Sequence, residues 1–326
     1  MRQADSPIPE QLAPIAIFGY NRPNHLKRCL ESLQNNKEAI FSDVYIFLDG
    51  PKNNSESSRV EATRAVAKLP YRFGKISITE QEENLGLGKS ILSGIDTVLA
   101  KNPKIIVLED DLEVTSHFLK YMNQGLDIYE SEKKVASIHG YNYQFTNAID
   151  EPYFIRGADC LGWATWADRW RLFNKNSEEL YQTLLSENLV SDFDLDGAFA
   201  YSKSLSDEAK NGFHSWAIHW HATAFVHNLL TLYPGKSLVK YNGADGSGTH
   251  FAINEKIWET EISQKSNWMF PPDCEESQVG RIELIGYFNR IYPKLNLPMR
   301  VIRKIKSTFQ VLCLKIDNLW RRVLSA

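Results

Sequence analysis

No stretch of this 326-residue chain comes near the roughly 18 consecutive apolar residues that a membrane-spanning helix needs, so a transmembrane helix is not expected. Cysteine is scarce. Cys29, Cys160, Cys274 and Cys313 show no CxxC spacing, and the chain opens without a charged-then-apolar signal segment, which together point to a reducing, cytoplasmic setting. A net charge of -3 and a pI near 6.3 give no general attraction to nucleic acid. The glycine motifs of nucleotide binding are also missing. Gly86-Leu87-Gly88-Lys89-Ser90 ends like a phosphate loop, but Glu83 stands where that loop requires glycine, and no GxGxxG follows the first candidate strand. Internal repeats and low-complexity segments are absent as well.

What the chain does have is Lys104-Ile105-Ile106-Val107-Leu108-Glu109-Asp110-Asp111, a β-branched run that reads as a buried parallel strand and ends in three carboxylates. Open α/β sheets bind ligands outside the carboxyl ends of their strands. Mg²⁺ or Mn²⁺ takes one or two carboxylates together with substrate phosphate oxygens, so the triplet points to a metal-bridged nucleotide diphosphate. The competing reading is that Glu109, Asp110 and Asp111 cap a helix starting near Thr115, since acids favour helix N-termini.

Around this stretch the pattern alternates. Residues 1–12 read as a loose tail with Pro7 and Pro9. Over 13–150, strands are expected at Ile15–Phe18, Val44–Leu48, Lys75–Thr79, Lys104–Leu108 and Val135–His139, with helices from Pro23, after Gly88 and over about 115–131. That alternation predicts an α/β fold with a mostly parallel, doubly wound sheet. Residues 151–255 turn aromatic and helical, with Trp163, Trp166, Trp170, Trp216 and Trp220, and are expected to fold against the first half. Residues 256–326 form a C-terminal extension. Residues 294–326 carry eight basic side chains against Asp317 alone, and Ile302, Ile305, Phe309, Leu312, Ile316, Leu319 and Val323 fall on one stripe. Residues 300–324 therefore read either as a basic amphipathic helix on an anionic membrane surface or as one docked on protein.

Several polar groups share the carboxyl edge. Arg22, after the first strand, suits a phosphate, and Asp49, after the second, suits a pyrimidine or ribose. The turn holding Asn84 and Gly86 could hold a diphosphate with backbone amides and Lys89. His250, in Asp245-Gly246-Ser247-Gly248-Thr249-His250, is a candidate metal ligand beside a carboxylate. Asp159, Asp168, Asp207 and Glu208 are the acids available as general base. Trp163 and Trp166 could stack on a sugar ring, or be ordinary core residues.

In this order and spacing, Phe18-Gly19-Tyr20-Asn21-Arg22, Phe47-Leu48-Asp49, Asn84-Leu85-Gly86, Leu108-Glu109-Asp110-Asp111, Leu161-Gly162-Trp163 and Gly248-Thr249-His250 resemble the GT-A glycosyltransferases. The resemblance covers roughly residues 13–252 and is nearest to bacterial relatives of the Golgi N-acetylglucosaminyltransferases, with the acidic triplet as a variant of the DxD motif. It implies that Asp111 binds Mn²⁺ or Mg²⁺, that Asp110 faces the ribose and Glu109 the donor sugar, and that Arg22 and Asp49 hold the nucleotide. The donor would be a nucleotide-diphospho-sugar, UDP favoured, and the acceptor a hydroxyl of a glycan or lipid-linked glycan at the inner face of the plasma membrane, with inversion at the anomeric carbon. One departure matters. Where the family places a basic Asp directly before a tryptophan, this chain has Ser215 before Trp216. Asp207 or Glu208, or else Asp168, would have to replace it, with Trp216 on the acceptor side. The alternatives are a sugar-phosphate nucleotidyltransferase and a non-catalytic subunit that binds sugar nucleotides or glycans.

Overall fold

The structure is a computed structural model that describes residues 12–213, 215–246 and 258–293. Its first half follows the alternation: β1 (Ile15–Gly19), α1 (Pro23–Leu33), β2 (Val44–Leu48), α2 (Ser57–Ala67), β3 (Ile76–Glu80), α3 (Leu87–Leu99) and β4 (Lys104–Glu109). Pro23 opens α1 where its missing N–H has no helical partner to lose. Leu26, Cys29, Leu30 and Leu33 then fall on one buried face. β3, β2, β1 and β4 pair in parallel in that order, and β1 and β4 are buried on both faces because helices cover the sheet on either side.

The second half departs from the helical expectation. After β5 (Leu112–Val114), α4 (Phe118–Ile128) and β6 (Val135–His139) come β7 (Tyr153–Arg156), β8 (Trp163–Trp166), four helices, α5 (Ala167–Trp170), α6 (Ser177–Ser186), α7 (Val190–Phe193) and α8 (Tyr201–Asn211), and then α9 (Trp216–Val226). β9 (Leu230–Tyr233), β10 (Val239–Tyr241) and α10 (Gln278–Ile291) complete the described elements. The large sheet has the order β3-β2-β1-β4-β8-β6-β9-β7, with β8 and β7 running against the other six strands. β8 lies between β4 and β6, so the sheet is continuous across residue 150. A smaller antiparallel pair, β5 with β10, sits beside it.

Two expectations are corrected by this arrangement. β5 intervenes between the acidic triplet and α4, whose first residue is Phe118, so the triplet caps no helix. Trp163 and Trp166 are strand residues three apart and therefore point to opposite faces. Trp163 packs with Phe18, Ile91, Trp216 and Trp220, while Trp166 joins the opposite layer and donates its indole N–H to the Leu126 carbonyl at 3.1 Å. Both are almost fully buried, and both serve the core rather than a sugar.

Candidate active site

Strands β1, β2, β4, β6 and β9 run in one direction and so deliver their carboxyl ends to a single edge. A cleft of about 440 Å³ opens there, lined by Arg22, Asp49, Asn84, Gly86 and the acidic triplet. Arg22, directly before α1, bonds Asp110 and reaches Asp111 at 3.0 Å. Burial alone would lower the Arg22 pKa, but the charges of Asp110 and Asp111 outweigh it and raise it. Burial pushes Glu109 well above the carboxylate range, reinforced by its two acidic neighbours and opposed by Arg22. Asp110 is driven up the same way, against the pull of Arg22. Crowded acids that resist ionisation favour a cation.

The residues present fit a hard divalent ion. Asp110 Oδ2 is buried without a partner, and Asp111 offers a second carboxylate. The turn after β10 is tight against it: a Cβ on Gly243 would lie 2.4 Å from Asp111 Oδ2. Among the described residues no group of three His, Cys, Asp or Glu side chains forms a metal cage. An ion here would thus complete its shell with phosphate oxygens and water, the usual arrangement for Mg²⁺. His250 lies outside the described residues.

Asp49 is 4 % exposed. It reaches the cleft, yet its carboxylate already accepts the backbone N–H groups of Gly50 at 3.0 Å, Leu85 at 2.7 Å and Gly86 at 2.9 Å. It therefore ties the end of β2 to the turn before α3. The Asn84 amide donates to the Gly50 carbonyl at 2.9 Å in the same junction. Gly86, at φ +78°, takes a left-handed conformation that a side chain would resist and aims the start of α3 at the cleft. Ser90, one turn on, lines the cleft; it is the last residue of the stretch that ends like a phosphate loop. Lys89 is exposed and is not part of the lining.

A second cavity of about 550 Å³ adjoins the first and shares Tyr143, Asp159, Cys160, Ser215 and Ala217 with it. Glu208 and Asp207 line this cavity. The Glu208 carboxylate accepts the Ser215 N–H at 3.1 Å, next to Trp216, which lines the cleft. Asp207 bonds Lys203, which lowers its pKa. Asp168 is elsewhere. It bonds Lys133 and Arg169 at 2.7 Å just past Trp166, which pairs with Lys104 at the amino end of β4. That is the opposite edge of the sheet, so Asp168 is removed as a base. The sequence could not show this, because the direction of β8 depends on its pairing.

Residues 15–158 match the sequence model of Glycosyl transferase family 2, which bears out the resemblance read from the motifs over those residues. The amylovoran biosynthesis glycosyltransferase AmsE of Erwinia amylovora is 35 % identical over 83 residues, 25 % of this chain and 28 % of that protein; the chain thus spans under a third of this curated relative. Among solved structures, S. aureus TarS 1-349 in complex with UDP-GlcNAc is similar at a TM-score of 0.30 and 14 % identity, over 43 % of this chain and 40 % of that one. GalNAc-T7 with UDP, GalNAc and Mn2+ is similar at 0.43 and 8 %, over 70 % and 43 %.

Proposed function

Proceeding from the family 2 match over residues 15–158, we propose that the chain transfers a sugar from a nucleotide-diphospho-sugar to a hydroxyl of a glycan or lipid-linked acceptor in the synthesis of a surface polysaccharide. The observation that carries this reading is the cleft at the sheet's carboxyl edge, where Arg22 and the triplet Glu109-Asp110-Asp111 meet. Asp111, with Asp110, would hold Mn²⁺ or Mg²⁺, and His250, which lies outside the described residues, is the further candidate ligand. The ion supplies Lewis-acid stabilisation of the departing diphosphate.

The chain's own groups do the rest. Arg22 offsets charge on the phosphates, and the first turn of α3 presents backbone N–H groups that lack helical partners. Glu109 borders the donor sugar. An acceptor hydroxyl enters from the adjoining cavity and attacks the anomeric carbon from the side opposite the diphosphate, so the configuration inverts. UDP is the favoured nucleotide. Residues 300–324, with their basic charge and apolar stripe, hold the protein on the anionic inner face of the plasma membrane; among the described residues no helix is long and apolar enough to cross one.

Thermal stabilisation by UDP, GDP, CMP and dTDP, each with and without Mn²⁺, tests the donor site, because a ligand of the native state raises stability by mass action. One nucleotide is expected to shift the melting temperature only with the metal, and Asp111→Ala is expected to abolish the shift. No shift with any of the four refutes the reading.

A further inference from the structure

Every acid that lines either cavity can be assigned to one or to both. The cleft has Asp49, Glu109, Asp110 and Asp111 to itself, and the larger cavity has Asp192, Asp207, Glu208 and Glu276. Among the described residues, Asp159 alone lines both. It stands in the loop between β7 and β8, at the end of the sheet where β4 carries the acidic triplet: Trp163, four residues on, pairs with Val107. A catalytic base has to touch the acceptor while facing the donor's anomeric carbon, and that requires a carboxylate on the shared wall.

The side chain is held for such work. Its Oδ2 accepts the Tyr143 hydroxyl at 2.6 Å and the Tyr233 hydroxyl at 3.2 Å, and its Oδ1 accepts the Cys160 N–H at 2.7 Å. A carboxylate has about four lone-pair sites, so Oδ1 keeps capacity for one more donor. Tyr233 ends β9, and Tyr143 lies four residues beyond β6. Two strands of the rigid sheet thus anchor the carboxylate, as a precisely placed reacting group needs. Glu208 by contrast accepts the Ser215 N–H and lines only the larger cavity.

That cavity has the character of a carbohydrate site. Phe199 and Tyr201, the partly buried rings on its wall, are aromatic side chains of the kind that stack on sugar rings. Asp192, Asp207 and Glu208 are acceptors for hydroxyl groups, and the buried Nε2 of His221 has no partner. An alkyl chain would leave that nitrogen unmatched.

Resting on the glycosyl-transfer reading above, we propose that the larger cavity receives a sugar acceptor and that Asp159 is the catalytic base. The acceptor oxygen forms its bond to the anomeric carbon as the bond from that carbon to the diphosphate oxygen breaks. The leaving nucleoside diphosphate keeps the electron pair, and the hydroxyl proton passes to Oδ1 of Asp159. Tyr143 and Tyr233 are positioning residues.

The test follows UDP release by the full-length protein with Mn²⁺ from UDP-glucose, UDP-galactose, UDP-GlcNAc and UDP-GalNAc, with water as the slow acceptor. Asp159→Ala is expected to lower release at least about 100-fold, within the usual range for a lost base, while the thermal shift with UDP and Mn²⁺ stays within about 1 °C of wild type. Sodium azide, a nucleophile that needs no deprotonation, is expected to restore release in the variant at least about tenfold and to give the inverted glycosyl azide. Should Asp159→Ala fold poorly, Asp159→Asn still accepts both tyrosine hydroxyls and serves in its place. Release that survives either substitution overturns the assignment, and so does lost release without azide rescue. Wild-type protein that binds no nucleotide refutes the transfer reading itself, and wild-type protein that binds UDP yet releases none overturns the base assignment with it. Benzyl glucoside, galactoside and N-acetylglucosaminide are expected to accelerate release, and Ser204→Trp, on the wall of the larger cavity, to remove that acceleration while sparing hydrolysis. No acceleration by any of the three, or acceleration that survives Ser204→Trp, overturns the acceptor half.

Discussion

Replacing Asp49 separates two roles that a carboxylate at a strand's end can play. If it contacts the nucleotide, Asp49→Ala weakens ligand binding and spares the fold. If it ties β2 to the turn before α3, the fold itself suffers. The carboxylate is 4 % exposed and accepts three backbone N–H groups. Each buried donor left without a partner costs about 1–3 kcal/mol. Water can reach the amide near Leu85, which is 37 % exposed, and the Gly50 N–H keeps the Glu83 carbonyl at 3.3 Å, so the half-buried Gly86 N–H carries most of the loss. Asp49→Ala is therefore expected to cost about 1–3 kcal/mol, a fall in melting temperature of about 2–4 °C. Asp49→Asn keeps one acceptor oxygen and should lose about half as much. Scanning fluorimetry of both variants, alone and with nucleotide, measures the two roles at once. A melting temperature within about 1 °C of wild type in Asp49→Ala, with the nucleotide shift gone, refutes the structural role and returns Asp49 to the ligand.

Three more expectations rest on single contacts. A Cβ on Gly94 of α3 would lie 2.4 Å from Phe18 Cε1 and 3.0 Å from Phe47 Cδ2, against the stacked pair whose ring centroids are 5.2 Å apart; Gly94→Ala should thus lower the unfolding free energy from urea titration by about 1–3 kcal/mol through overpacking, despite the better helix propensity of alanine. Asp168→Ala removes two ion pairs at the sheet's far edge, with exposed Lys133 and with buried Arg169, whose guanidinium keeps four backbone carbonyls, and is expected to cost about 1–2 kcal/mol; a large loss of UDP release in this variant would reinstate it as a base. The buried imidazoles of His139, His219 and His221 are each held below the ordinary 6.5, first by burial. A lowered folded value means that the unfolded chain takes up these protons first, so stability is full above pH 6.5 and is lost as the pH falls below it. Urea titrations from pH 8 to 5 should show that slope, and His139→Gln should flatten it; an unchanged slope in that variant means other groups drive the acid sensitivity.

Much of the first half was legible because its signals are local. β2 and β6 form where the apolar runs Val44–Leu48 and Val135–His139 place them, Pro23 opens α1, and the triplet ends a buried strand. Strand direction then requires Arg22, Asp49 and the acids to share an edge. The second half misleads because its strands are short and flanked by helices. Four buried residues, Trp163 to Trp166, carry no alternation that separates a strand from a helical turn.

By itself the sequence determined a parallel α/β core and an acidic cluster on its carboxyl edge, since periodicity and strand-end chemistry act over a few residues. Only the tertiary structure decided which acids face the site. Asp159 meets Tyr233 from 74 positions away, and Asp168 is carried to the far edge by the antiparallel pairing of β8 with β4; both outcomes follow from strand order, which long-range packing sets and no local pattern encodes.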